Sequence, residues 1–340
     1  MKKIVVVGAA GGLGLTLCEQ LARSKRYIIR GCVAPWERNK RVEELRSYVS
    51  EVFVGDVTKK SDVDLMLRGM DIAVNCAAAL ADKHEKEVQY LVNVRGNDFL
   101  IRAAKHFGLQ KMVVISTAGV ATGLGQGVPD DENSPFRRYL HNYHIWSKIE
   151  NEKNLAKVSR EINFPCIILR PASIYGPHMT FRWGEIISYI KNGTMKVFDH
   201  PDSRYPLIHE RDLARAVELS IERIGSLRTN EIMIISSDEP TSLSSIVNFI
   251  AQEIKAPLPP RLPYWAVLAA SYVIALVPMR LRPKQFQLIS PWSVREYRQG
   301  HAYVTDKAKR LLGFAAEVPF QEGMREVLRN YNEKGISHWG

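Results

Sequence analysis

Four apolar β-formers, Ile4 to Val7, open the chain and run straight into glycines. Apolar positions then recur at helical spacing from Leu13 to Ser24. An unbroken apolar run followed by a 3.6-residue period predicts a buried strand and then a helix with one buried face. The alternation continues. Tyr27–Val33, Val52–Val54, Ile72–Asn75, Lys111–Ser116 and Cys166–Leu169 read as strands, and Val88–Phe107 and Trp146–Ile162 as helices. Short apolar strands separated by helical spans predict a parallel sheet with right-handed crossovers. Ligands of such sheets bind beyond the carboxyl ends of the strands, so the chemistry is expected there.

The expected fold class is therefore α/β, a doubly wound parallel sheet of Rossmann type. Past Arg170 the pattern changes to turn-rich chain, with a helix over Asp212–Arg223, a strand over Glu231–Ile235 and a proline-marked break at Pro257, Pro259, Pro260 and Pro263. At 340 residues the chain is long for one simple domain. The reading divides it into a nucleotide-binding body, 1–170 with 206–236 returning to it, and a smaller substrate lobe, 171–205 and 237–340. Within the lobe, positions 262–279 carry no charge, while Arg261 precedes them and Arg280, Arg282 and Lys284 follow. Three readings fit: a helix packed on the lobe, a peripheral membrane contact through 262–284, or a span at the lower edge of bilayer length.

The net charge of +11 favours anionic ligands or surfaces. The basic residues are spread along the chain without an aromatic-interleaved run, which argues against nucleic acid. Cys18, Cys32, Cys76 and Cys166 lack C-x-x-C spacing, so neither a disulfide nor a metal site is expected and a reducing compartment fits. No leader-like segment precedes the first strand. The expectation is a cytoplasmic protein, with membrane association as the addition that 262–284 would bring.

The turn Gly8-Ala9-Ala10-Gly11-Gly12-Leu13-Gly14 sits where a doubly wound fold holds a dinucleotide's pyrophosphate. Glycines admit the phosphates, and the helix N-terminus offers N–H groups and a positive dipole end. An ordinary βα turn is the alternative. No acid closes the second strand at Cys32-Val33-Ala34-Pro35-Trp36, while Arg38, Lys40 and Arg41 follow closely. That charge pattern favours NADP over NAD, the alternative cofactor; the competing reading is a solvated basic helix start.

The G-x-x-G-x-x-G spacing and a series of later motifs resemble the extended short-chain dehydrogenases/reductases. These motifs are Gly55-Asp56-Val57, Asn75-Cys76-Ala77-Ala78, Asn93-Val94-Arg95-Gly96-Asn97, Ile115-Ser116-Thr117, Ser147-Lys148 with Glu152, Leu169-Arg170-Pro171-Ala172-Ser173-Ile174-Tyr175-Gly176-Pro177, and Ile208-His209-Glu210-Arg211-Asp212. The pattern is most similar to the 3β-hydroxysteroid/sterol dehydrogenase and dihydroflavonol reductase-like group. The resemblance implies cofactor contacts from Gly8, Gly11, Gly12, Leu13, Gly14, Asp56, Val57, Cys76, Ala77, Ala78, Asn93, Ser116, Lys148, Pro171 and Ser173, with Arg38 as the 2′-phosphate partner. It also implies hydride exchange with a carbonyl or secondary alcohol on a bulky apolar small molecule, such as a sterol, terpenoid or lipid. A homodimer is a further implication, which the residues themselves leave open.

In that family a Tyr exchanges the proton, a Lys four residues later tunes it and holds the ribose, and a Ser or Thr binds the substrate oxygen. Four-residue spacing puts the pair on one helix face. Here Lys148 has His144 four residues before it and Tyr143 five. Three readings stand: an irregular helix start brings Tyr143 in, His144 is the proton donor, or the site binds cofactor without turnover. Thr117 aligns with the family hydroxyl, Ser116 being the fallback; Thr117 could instead satisfy a strand-end backbone group. A nucleotide-sugar epimerase or dehydratase is the runner-up, although Ala172 and Ser173 stand where sugar enzymes usually carry Phe and Asn.

Overall fold

The computed structural model describes residues 1–80, 86–121, 129–137, 143–179, 183–198, 203–223, 230–239, 241–278, 281 and 289–334. Seven parallel strands form the main sheet: β1 Lys2–Val7, β2 Tyr27–Val33, β3 Glu51–Val54, β4 Ile72–Asn75, β5 Lys111–Ile115, β6 Cys166–Pro171 and, after two short strands, β9 Glu231–Ile235. Their order is β3-β2-β1-β4-β5-β6-β9, and β7 Ser173–Tyr175 and β8 Leu207–His209 pair with each other apart from it. Between the strands run α1 Gly12–Ser24, α2 Asn39–Arg46, α3 Lys60–Leu67, α4 Lys86–Tyr90, α5 Gly96–His106, α6 Tyr143–Glu161, α7 Trp183–Lys191 and α8 Glu210–Glu222. After β9 come α9 Leu243–Glu253, α10 Tyr264–Leu276, α11 Pro291–Gln299, α12 Asp306–Leu312 and α13 Phe320–Lys334.

Strand geometry alternates side chains between faces, and β1 is buried on both. Ile4 and Val6 join one core with Leu15, Leu17 and Leu21 of α1 and Leu213 and Val217 of α8. Val5 and Val7 join the other with Met66 of α3, Leu100 and Ile101 of α5 and Leu155 of α6. Each such Leu or Ile contributes about 1.5–3 kcal/mol of burial, which makes the two helical layers rather than the strand ladder the main support of the sheet. Ala308, Leu312 and Phe314 also join the first core, so α12 packs on the sheet body although its residues fall in the lobe interval of the sequence reading. A third core, from Trp183 and Ile187 of α7, Ile246 and Ile250 of α9, and Met324 and Val327 of α13, builds the second lobe around β7 and β8.

Three departures from the sequence reading affect the site. The helix expected over Val88–Phe107 is interrupted by a wider π turn at Leu91–Arg95, between α4 and α5. The helix expected from Trp146 starts at Tyr143. The apolar segment forms a helix of only 13 residues that packs on α11 of the lobe, with Arg298 4.2 Å over the Tyr264 ring, but Ser271 is its one buried residue. Among the described residues no helix is long and apolar enough to cross a membrane, which removes the span; Met279, Arg280, Arg282 and Lys284 lie outside them.

Candidate active site

Gly8 takes φ +77, a left-handed conformation that glycine alone adopts freely, and a Cβ there would lie 2.7 Å from the backbone of Ala77. The turn after β4 therefore passes directly over the turn after β1. The amides of Gly8 and Ala9 both donate to Cys32 O at 3.0 Å, and Gly11 N donates to Gly8 O at 3.0 Å. A Cβ on Gly14 would strike the Gly8 carbonyl, so α1 can approach the turn only with glycine at that position. Gly11 caps α1 without a side chain, and no acid stands in the first turn. A glycine cradle opening on an uncapped helix N-terminus fits a dinucleotide pyrophosphate.

Of Arg38 and Arg41, the one hydrogen-bonded to this turn is Arg41. Arg38 is exposed ahead of α2, whereas Arg41 Nη1 donates to Ala10 O at 3.2 Å. Burial lowers the Arg41 pKa, against the raising charges of Glu37, Glu44 and Glu210. Asp56 is buried, and its Oδ1 accepts from Thr58 N at 2.9 Å and Thr58 Oγ1 at 2.8 Å; Val57 lies against Gly96.

Beyond β4 a buried amide chain holds the Cys76-Ala77-Ala78 turn. Asn75 Nδ2 donates to Asn97 Oδ1 at 2.8 Å, and Ala77 N to Asn75 Oδ1 at 3.0 Å. Asn93, turned inward by the π turn, accepts from Ala79 N at 2.8 Å and donates to Ala79 O at 3.0 Å and to Ser147 Oγ at 2.9 Å. One network thus joins the β4 turn to α6, one residue before Lys148. The motifs contain all four residues, but motif reading assigned a site role to Asn93 alone and none to Asn75, Asn97 and Ser147. The Cys76 thiol is pushed up to about 12 by burial, against the opposing charge of Lys148.

On α6, His144 and Lys148 are one turn apart on one face. Tyr143 lies on another, half exposed, with the Lys86 ammonium 5.7 Å from its ring and 4.7 Å from that of Trp146. The helix is formed from Tyr143 onward; residues 138–142, where an irregular start would lie, are outside the described residues. Lys148 is buried and donates Nζ to Ile115 O at 2.8 Å. Burial draws its pKa down to about 8, although Glu152 and Cys76 pull upward. Thr117 Oγ1 accepts from Gly119 N at 3.3 Å, the strand-end role considered for it, and among the described residues its hydroxyl donates to none. Its turn abuts the start of α6, where a Cβ on Gly119 would meet Ile145 at 3.1 Å.

Ser116 and Ser173 point elsewhere. Ser116 Oγ donates to Glu152 Oε1 at 2.5 Å, and Glu152 is paired with Arg170 at 2.6 Å, both side chains fully buried. That pair ties α6 to β6 and sets the height of Lys148. Ser173 is exposed and donates to Tyr205 at 3.4 Å, while Pro171 is buried in the β6–β9 ladder.

Residues 4–236 match the NAD dependent epimerase/dehydratase family. The chain belongs to that family. Among curated relatives, the mouse sterol-4-alpha-carboxylate 3-dehydrogenase, decarboxylating, is 24% identical over 341 residues, covering 97% of this chain and 91% of the relative. The 2-alkyl-3-oxoalkanoate reductase of Shewanella oneidensis is 24% identical over 332 residues, covering 95% and 84%. The crystal structure of gox2253 superposes with a TM-score of 0.81 at 23% identity, covering 98% of this chain and 99% of that one. Family membership and the glycine cradle agree on an NAD-type dinucleotide.

Proposed function

We propose that this chain is an NAD(P)-dependent oxidoreductase that exchanges hydride with a carbonyl or secondary alcohol on a bulky, largely apolar substrate. The observation that carries the reading is the shared face of α6, where His144 and Lys148 stand one turn apart beside the Thr117 turn. Gly8, Gly11, Gly12, Leu13 and Gly14 hold the pyrophosphate, and Arg41 beside Ala10 favours the 2′-phosphate of NADP. When bound, the dinucleotide donates or accepts the hydride. Thr117 gives its free O–H hydrogen to the substrate oxygen. A ring nitrogen of His144 supplies the proton to that oxygen in reduction and takes it in oxidation, which imidazole does well near neutral pH. Lys148, buried and drawn to about 8, holds the ribose side. The two relatives' names place their reactions at position 3 of an apolar skeleton, which supports the substrate class.

Purified protein tested with NADPH and NADH against 3-oxo-sterols, 2-alkyl-3-oxoalkanoates and UDP-sugars decides among the readings. Turnover of the apolar carbonyls supports this one. Turnover of sugars alone moves the chain to the epimerases, and dinucleotide binding without any turnover makes it a non-catalytic binder. His144→Ala should lower kcat about 10²–10⁴-fold, the usual weight of a general acid, and Tyr143→Phe should change it little. The reverse result returns the role to Tyr143.

The peripheral reading of 262–284 also stands as a proposal, with an anionic bilayer as the partner. Trp265 is 73% exposed and Leu276 83%, and from Ile254 to Arg295 the chain has Lys255, Arg261, Arg280, Arg282, Lys284 and Arg295 without one acid. Apolar side chains flanked in sequence by cations suit an anionic headgroup layer. Co-sedimentation with vesicles containing phosphatidylserine should exceed that with phosphatidylcholine alone. Equal recovery in the supernatant overturns the contact, and a dimer lost in Leu276→Asp assigns the face to a second copy.

A further inference from the structure

One cluster beside the glycine turn has no part in the chemistry above. The turn after β7, Gly176-Pro177-His178-Met179, lies on the first turn of α1. A Cβ on Gly12 would sit 2.7 Å from His178 O and 2.6 Å from Met179 Sδ. His178 fastens it there from three directions. Its Nδ1 is 2.9 Å from Glu210 Oε1 of α8 and 3.1 Å from Thr16 Oγ1 of α1, and its Nε2 is 3.5 Å from Glu44 Oε1 of α2. Its backbone N–H also donates to Glu210, at 3.1 Å to Oε2. Thr16 spends its own hydrogen on Gly12 O at 3.1 Å, so its oxygen is left to accept.

We propose that His178 is a positioning residue for the dinucleotide: as an imidazolium it locks the Gly176–Met179 strap against the glycine turn and cancels two carboxylates that would otherwise repel the pyrophosphate. The charge count makes the case. Glu210 is fully buried and Glu44 partly so; Glu210 bonds the strap that lies on Gly12, and Glu44 stands three residues past Arg41 on α2. Two anions there oppose a third unless cations accompany them. Arg41 supplies one, reaching Ala10 O, and His178 the other. Each ring nitrogen faces a carboxylate, an arrangement that suits the doubly protonated ring. Burial opposes that charge, but the hydrogen bonds and charges of Glu210 and Glu44 outweigh it and raise the His178 pKa to about 9. His209, its titratable neighbour on β8, is held neutral: burial, then the charges of Arg211 and His178, bring it down to about 3.

The proposal rests on the reading that the glycine turn binds a dinucleotide. NADPH affinity, measured by fluorescence titration from pH 6 to 10, tests both. In the unaltered protein affinity should fall in two steps as pH rises, near 8 where Lys148 loses its proton and near 9 where His178 does. His178→Asn should bind roughly tenfold more weakly at pH 7 and show no fall near 9, the scale of one lost compensating charge. Glu44→Gln, on a surface helix, should restore part of the affinity lost by His178→Asn when the two are combined. A His178→Asn protein with unaltered affinity and pH profile overturns the strap's role and leaves the dinucleotide reading intact. Unaltered protein that binds neither NADPH nor NADH overturns both. A drop in melting temperature with the pH profile preserved reduces His178 to a structural tie and also overturns the proposal.

Discussion

α1 and α10 are both 13-residue helices rich in apolar side chains, and they have opposite surroundings. α1 buries Leu13, Leu15, Leu17, Cys18 and Leu21 and keeps Glu19 and Arg23 outward. α10 buries only Ser271. The difference lies in the polar positions. Glu19 and Arg23 mark a water face on α1, and so define the opposite face as core. α10 has no charge anywhere, so no face of it is assigned to water and none to the protein. Apolar composition alone therefore did not tell a core helix from an exposed one; the presence of a charged stripe did.

That contrast can be broken most sharply by truncation. Leu17→Ala should cost about 2–5 kcal/mol in denaturant unfolding, the price of a cavity in a closed core. Gly14→Ala should come next, at about 1–3 kcal/mol, because the new methyl meets the Gly8 carbonyl, and NADPH binding should fall with it. The charge cluster beside α1 should add a pH term. The folded pKa of His178, about 9, lies above its unfolded value near 6.5, so its contribution is complete below pH 6.5 and lost as pH rises through 9. The stability gap between the unaltered protein and His178→Asn should close over that window. Smallest of all, Leu276→Ser on α10 should stay within about 0.5 kcal/mol while reducing vesicle binding. A loss matching that of Leu17→Ala would show α10 to be covered by protein in solution.

Much of the sheet was legible because β1, β4, β5 and β6 carry the apolar runs Ile4–Val7, Ile72–Val74, Met112–Ile115 and Cys166–Leu169, which suit a doubly covered strand. β7 and β8 were not: each has three residues, and the pairing Ser173 with Leu207 joins distant segments that carry no periodicity. The π turn was invisible for a similar reason. It is set by Asn93 reaching Ala79 and Ser147, not by helix propensity. At the site, the glycines and Lys148 could be read from spacing. Which of Arg38 and Arg41 meets the turn depends on where α2 begins, and Asn39 as its first residue brings Arg41 round. His178 escaped motif reading because Thr16, Glu44 and Glu210 come from three separate stretches of chain. That α6 runs from Tyr143, on which the proposed role of His144 rests, was not legible from spacing.

The sheet order has a consequence for the way this molecule is made. The chain leaves the sheet at Pro171 and re-enters it at Glu231 to place β9 beside β6. During synthesis the first six strands emerge and can pair in sequence while the edge of β6 stays bare. An open apolar strand edge invites pairing with a neighbouring chain. Between translation of residue 171 and residue 235 a nascent copy therefore presents the bare edge of β6; β9 then covers that edge and becomes the edge strand itself.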